Sequence, residues 1–285
     1  MINVGYLLSY DYNMFLTSVK QLYNYVDMIV VGIDVERNTW SGNQFEIPDS
    51  FFDEIKAFDR RNIIKFYFDN FYIPSLTPME CESRERNMVL KKLGYGWKIQ
   101  LDVDEYIYDF KVVAKFLNKY WYLNLFPKIT PICIQGRWIT LYKEVSNGYL
   151  FIDNKEFFPF ITNQSYNVHT RSNKEIRNHF SNINVIHQSW ARSEDQIQDK
   201  ITNWGHRDDF DTQNYFEFWK SLSASNYSTV KNIHPITPEE WNELSFLPSD
   251  SINDFIAKYS LNHSQNIINI DSKKMYKALL NKFIK

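Results

Sequence analysis

The chain has 285 residues, 44% of them hydrophobic and 23% charged, with a formal net charge of −2. This is enough apolar sequence for one large domain with a core, which excludes a disordered chain, and too little positive charge for a nucleic-acid binder that works through a global field. Cys81 and Cys133 are the two cysteines, which excludes a disulfide framework or a Cys-based zinc site and suits a reducing compartment.

The N-terminal half alternates strand and helix signals. Residues 3–8 read as a short buried strand, and Phe15, Val19, Leu22, Tyr23 and Val26 line one face of a helix. Residues 28–33 form a second apolar run ending at Asp34. A polar loop follows, and Ser50 with Asp53 reads as the cap of a helix through Ile55 and Phe58. Residues 62–68 alternate as a third strand, 82–93 have helical composition, and 97–103 alternate as a fourth strand. The order β-α-β-α-β-α-β calls for a parallel sheet with right-handed crossovers.

Beyond Lys128 the pattern changes. Residues 129–142 and 149–160 read as strands and turns, with Asn147-Gly148 as a hairpin signal. Helices are expected at 193–204 and 215–222, and Thr237-Pro-Glu-Glu240 reads as a capping box. A last helix places Met275, Tyr276, Leu279, Leu280, Phe283 and Ile284 on one stripe, with Lys273, Lys274, Lys277, Lys282 and Lys285 beside it. The expected division is a catalytic domain over residues 1–220 and a helical extension over 221–285.

The segment that carries chemistry is Leu101-Asp-Val-Asp-Glu-Tyr106. Ligands of an open parallel sheet bind outside the carboxyl ends of its strands. Two carboxylates at such an edge repel each other unless a cation intervenes. They suit Mg²⁺ or Mn²⁺ shared with a substrate diphosphate, where the metal neutralises charge on the leaving group. His187 follows the apolar run 183–186 as a strand-end residue should, and imidazole can complete a Mn²⁺ shell.

Glu82-Ser-Arg-Glu-Arg-Asn-Met-Val-Leu90 followed by Gly96-Trp-Lys-Ile-Gln-Leu-Asp-Val-Asp-Glu-Tyr106 resembles glycosyltransferase family 2. The openings at 6–13 and 29–34 and the run His187-Gln-Ser-Trp-Ala-Arg192 extend the likeness over roughly the first 220 residues. The resemblance implies a GT-A fold, a three-layer α/β/α arrangement with a mostly parallel sheet. It implies transfer of a hexose-type sugar from a nucleoside diphosphate sugar, a UDP-sugar first, to a hydroxyl of a glycan, lipid-linked or protein acceptor, with inversion.

Carried onto this chain, Ser9 and Tyr10 would line the nucleotide pocket and Asp34 would contact the base or ribose. Arg84 and Arg86 would face the cleft. Asp104 would bind metal, Asp102 metal or ribose, and His187 would be the third ligand. Glu194 and Asp195 lie near the family's catalytic base, with Asp208, Asp209 and Asp211 as rivals, although acids at 194 and 195 also suit a helix's first turn. Glu105 reads as an outer partner of the metal or a helix-start carboxylate. Arg137, Arg171, Arg177 and Arg192 could clamp phosphates, and Trp138, Trp190 and Trp204 could stack on an acceptor sugar. His169, His179 and His206 read as structural.

Two other readings use the same residues. A nucleotidyltransferase would want a Gly-rich, basic loop after the first strand, which residues 9–13 lack. A non-catalytic sugar-binding module would be expected to have lost its metal ligands. The expected location is the cytoplasm, at the inner membrane surface if the lysine-rich terminal helix meets anionic lipid.

Overall fold

In a computed structural model the described residues are 1–153, 156–203 and 209–271. The strands β1 (Ile2–Leu7), β2 (Met28–Asp34), β3 (Ile64–Asp69) and β4 (Trp97–Asp102) are joined by α1 (Phe15–Leu22), α2 (Asp49–Phe58) and α3 (Pro78–Lys92). They pair in parallel in the order β4-β1-β2-β3. Strands covered on both faces read as continuous apolar runs, and β1 is buried along its whole length.

The alternation of side chains divides the core between two faces. Val4, Tyr6, Ile29, Val31, Ile99 and Leu101 pack against α1, α2 and α4 (Phe110–Lys119). Leu7 and Val30 point the other way, onto Val89, Leu90 and Leu93 at the end of α3. Gly5 and Gly32 permit that approach, because a Cβ on either would come within 2.7 Å of a Val89 methyl. Layers on both faces of the sheet make this a three-layer α/β architecture, as expected.

Local capping differs from expectation at two helices. Helix α2 starts two residues early, at Asp49 with Pro48 in the N-cap position, without a side-chain cap from Ser50. Helix α3 starts at Pro78, four residues before the expected start, because Thr77 and Glu80 form a complete capping box.

The second half extends the same sheet. The two-residue strand β5 (Glu105–Tyr106) precedes α4, and the long strand β6 (Ile132–Val145) follows it. Strand β6 pairs antiparallel with β7 (Gly148–Ile152) and β8 (Phe157–Thr162), and parallel with β9 (Arg177–His187). The β6–β7 turn falls at the expected hairpin, with Val145 opposite Gly148. Strand β8 joins the halves by pairing antiparallel with β4.

Helices α5 (Glu194–Asn203) and α6 (Thr212–Ser221) lie near those expected. Ser193 caps α5 by accepting from the Gln196 N–H at 3.3 Å. Thr237 makes no side-chain cap, and only a 3₁₀ turn follows it. Helix α7 (Ile252–Asn262), capped by Ser251, has no counterpart among the expected elements. Past residue 220 the sheet continues, since β10 (Ser245–Pro248) pairs with β7 and Trp241 and Leu244 share a buried cluster with Trp190 and Trp219. The lysine-rich terminal helix lies outside the described residues. Among those described, no helix is long and apolar enough to cross a membrane.

Candidate functional site

Strands β1 and β4 are neighbours whose connections leave in opposite directions along the sheet, so their carboxyl ends flank a topological switch point. A cavity of about 500 Å³ opens there, with walls from the β1 end, the β2 end, α3 and the β4 end. Ser9, Tyr10, Asp34, Arg86, Asp102, Asp104 and His187 all line it. Residues distant in sequence thus meet at one edge, through two short pairings. Strand β5 places Glu105 opposite His187 at the end of β9, and the Gln188 N–H donates to the Asp104 carbonyl at 2.8 Å.

Three arginines organise the carboxylates. Arg86 Nη2 donates to both oxygens of Asp102, at 2.8 and 3.0 Å, while its Nε donates to Glu82 at 2.7 Å. Arg171 reaches Asp102 at 3.5 Å and grips Glu105 with two bonds of 2.7 and 3.1 Å. Arg192 Nη2 donates to Asp104 Oδ2 at 2.5 Å and lies 3.3 Å from Asp11. Burial alone would disfavour these charges. At Asp102 the desolvation is outweighed by Arg86 and Arg171, so the carboxyl titrates below its usual range. At Asp104 it is outweighed by His187 and Arg192, which hold the carboxyl well below that range.

Glu105 is not an exposed helix-start carboxylate, one of its two expected readings. It is fully buried, accepts from Arg171, Trp138 Nε1 and the Asp102 N–H, and so pins the loop that carries both aspartates. Nη1 of Arg86 and Nη1 of Arg192 are buried without a hydrogen-bond partner. Such orphan donors are rare, and both belong to residues on the cavity wall.

The expected three-residue metal set is only partly assembled. Among the described residues no group of three His, Cys, Asp or Glu side chains converges. Asp102 is held by Arg86 and Arg171. Asp104 Oδ2 and His187 Nε2 do approach each other, at 3.5 Å. That separation suits two ligands of one cation, with the rest of the shell left to substrate oxygens and water, as Mg²⁺ commonly arranges. Of the three expected ligands, Asp104 and His187 are the pair whose side chains approach each other.

Other expectations are corrected. Asp34 is on the wall, but its carboxylate accepts from four backbone N–H groups, of Glu36, Asn38, Phe71 and Tyr72, at 2.8–3.1 Å. Its acceptor sites are filled, so it shapes the loops around the cavity and has none left for a ribose. Arg84 lies off the wall and donates to the carbonyls of Asn70 and Phe71. Glu194 pairs with Lys220 at 3.0 Å and faces a different, more open cavity. Asp195 and Asp209 are exposed and line neither cavity. Arg137 pairs with Asp153, and Arg177 reaches the Asp271 carbonyl. His179 shares a hydrogen bond with the Ile268 carbonyl, as a structural histidine. Trp204, His206 and Asp208 lie outside the described residues.

The cavity also contains groups that sequence reasoning did not place there. Asp11 is two residues beyond Ser9, and burial pushes its carboxyl up against the opposing pull of Arg192. Its position just past β1 was the available signal. Lys200 of α5 donates to Ser189 at 3.0 Å, and burial, then Arg192, lower its ammonium to about 8. Glu85 accepts from Trp40 Nε1 at 2.6 Å, and burial raises it to about 7. Trp138 stacks on Phe158 with centroids 4.3 Å apart and lies 5.0 Å from the His187 ring. Trp190 is buried against Tyr142 and Tyr215. His234 and Trp241 bring the C-terminal segment to the wall.

No protein-family model matches the chain, and no curated protein does. Among solved structures, a likeness is found to S. aureus TarS 1–349, with a TM-score of 0.32 and 13% identity over 52% of this chain. The chain spans 41% of that TarS chain. Another is mannose-6-phosphate isomerase from Helicobacter pylori, with a TM-score of 0.32, 12% identity, and 56% and 67% of the two chains covered. A third is CMP:2-keto-3-deoxy-manno-octonic acid synthetase complexed with CTP, with a TM-score of 0.26, 10% identity, and 56% and 70% covered. Likenesses this distant leave the functional reading to the site itself.

Proposed function

We propose that the protein is a GT-A-type glycosyltransferase that moves a hexose-type sugar from a nucleoside diphosphate sugar, a UDP-sugar first, to a hydroxyl acceptor with inversion. The acceptor would be a glycan, a lipid-linked sugar or a protein. The observation that carries this reading is the Asp104–His187 pair, at 3.5 Å, beside the switch point between β1 and β4. A phosphate-bearing ligand is the expected occupant of such a crevice.

In this reading Asp104 and His187 hold Mn²⁺ or Mg²⁺, which supplies neutralisation of charge on the leaving diphosphate. Arg86 and Arg192 line the cavity and supply the positive charge that would face phosphate oxygens. The half-buried Trp138 face, close to His187, offers a stacking surface for a sugar ring. Asp102, held by Arg86 and Arg171, orients those guanidinium groups.

Calorimetric titration with UDP-, GDP-, CDP- and dTDP-sugars, with and without Mn²⁺, tests the reading. Tight binding of one nucleotide sugar that depends on Mn²⁺ and is lost in Asp104→Asn is the expected result. Binding of none of them, or binding indifferent to both changes, overturns it. Condensation of a nucleoside triphosphate with a sugar phosphate would instead make the protein a nucleotidyltransferase.

A further inference from the structure

The end of the sheet opposite the cavity carries an unusual surface. Tyr95 is 54% exposed, Trp121 58%, Tyr122 41%, Leu125 47% and Phe126 66%. Scattered apolar residues on a surface need no explanation, but a contiguous group does. Four of these residues lie within the segment 121–126, and the fold brings Tyr95 to the same end of the sheet. Trp97 Nε1 donates to the Leu117 carbonyl at 2.8 Å, which ties the end of α4 to the start of β4, where Tyr95 lies. The 3₁₀ turn Trp121–Asn124 follows directly. Thr130 Oγ1 donates to the carbonyls of Leu123 and Phe126, which folds the segment back on itself.

The charge around this group is mostly positive, with Asp27 and the exposed Asp271 as nearby acids. Residues 110–130 contain no aspartate or glutamate, whereas Lys115, Lys119 and Lys128 are exposed among them. Lys91, at the end of α3, is exposed just before Tyr95. Asp27 lies at the same end of the sheet, and its carboxylate accepts from the Ile2 N–H. The chain also passes here on its way to the C-terminus, with Asn269 accepting from Lys119 and the Ile270 carbonyl accepting from Tyr120. The sequence beyond Asp271 adds five more lysines.

We propose that this end of the molecule is a docking surface for an anionic lipid bilayer. Trp and Tyr are the side chains that settle at a headgroup boundary, with an apolar body in the acyl region and a polar edge in water. Leu125 and Phe126 supply apolar area, and each lysine adds electrostatic attraction to an anionic surface. The lysines are what favour lipid headgroups over a second copy of the chain, since two such faces would repel each other. The cavity lies at the other end of strands β1 and β4, each six residues or roughly 20 Å long. It therefore faces away from the bilayer, toward an acceptor that extends from the membrane or lies free of it.

Co-sedimentation of the full chain with vesicles of equal parts phosphatidylglycerol and phosphatidylcholine, or of phosphatidylcholine alone, tests the proposal. Binding to the first and not the second, weakened by salt, is the expected result. The double variant Trp121→Ser/Phe126→Ser and the double variant Lys115→Glu/Lys128→Glu should each bind about tenfold more weakly. All four side chains are exposed, so both variants should keep the wild-type melting temperature and circular dichroism. Removal of residues 272–285 should leave binding still sensitive to Trp121 and Phe126. Wild-type binding by both double variants, binding abolished by the truncation alone, or self-association through Trp121 and Phe126 without lipid binding would each overturn it.

Discussion

Arg192 Nη2 sits 2.5 Å from Asp104 Oδ2, the same oxygen that His187 Nε2 approaches at 3.5 Å. One carboxylate oxygen thus faces both a guanidinium and the histidine with which it would share a cation. Asp104 cannot serve both at full strength, because each positive group lowers the benefit of the other. Arg192 is the resident counter-charge of Asp104, and in the proposed reading it would be free to face the diphosphate if Asp104 and His187 held a cation.

This relationship predicts opposite signs for two binding constants. Arg192→Gln should tighten Mn²⁺ binding in the absence of nucleotide, since Asp104 loses a competitor. The same variant should weaken nucleoside diphosphate binding in the presence of Mn²⁺ by about 1.5–3 kcal/mol, the scale of a hydrogen bond to a charged group. Calorimetry measures both constants, and movement of the two in the same direction would count against the exchange.

Asp104→Asn removes the charge while keeping the shape. It should abolish sugar transfer, and EDTA should do so reversibly. His187→Ala should raise the Mn²⁺ concentration needed for half-maximal activity. Asp104→Asn also leaves Arg192 with less compensation in a buried setting, so circular dichroism and melting must accompany the assay. Full activity in Asp104→Asn and in EDTA would remove the metal from the proposal.

Asp34 offers a contrast between two uses of a strand-end aspartate. Its carboxylate accepts from four backbone N–H groups, and a buried donor left unsatisfied costs about 1–3 kcal/mol. Asp34→Ala should therefore lower the melting temperature markedly, with nucleotide binding reduced through disordered walls. Unchanged stability with a selective loss of nucleotide affinity would restore the direct contact.

The difference between what the sequence yields and what it withholds is visible in these residues. Ile64, Phe66 and Phe68 alternate, and residues 28–33 are almost continuously apolar, so β3 and β2 follow from local periodicity. Asp102 and Asp104 follow from the rule that strand ends in such sheets carry ligands. The partners of those aspartates do not follow from any local pattern. Arg171 and Arg192 lie 66 and 88 residues from Glu105 and Asp104; the β5–β9 pairing brings Arg192 there, and hydrogen bonds from Asn167 and Thr170 to α3 and β4 bring Arg171. The capping box of Thr77 and Glu80, with Pro78 at the first helical position, is a local signal for the start of α3 that composition alone places four residues late. Asp34 shows the limit from the other side, since side-chain identity does not reveal which hydrogen bonds are already made.

Glu85 makes the stability of the fold depend on pH. Its side chain is buried, 6% exposed, and accepts from Trp40 Nε1 at 2.6 Å. Burial raises its carboxyl from an ordinary 4.5 to about 7. The folded state then holds a proton that the unfolded state has lost between those two values, so stability falls as pH rises through that window. The stabilising contribution is complete below about 4.5 and gone above about 7, a difference on the order of 3 kcal/mol at about 1.4 kcal/mol per unit. A glutamine at this position would keep an oxygen for Trp40 and carry no titratable proton. Glu85→Gln should therefore change little at pH 5 and be clearly more stable than the wild type at pH 8, read from urea unfolding midpoints at both values. Equal differences between the two proteins at the two pH values would show that Glu85 ionises in the folded state without penalty.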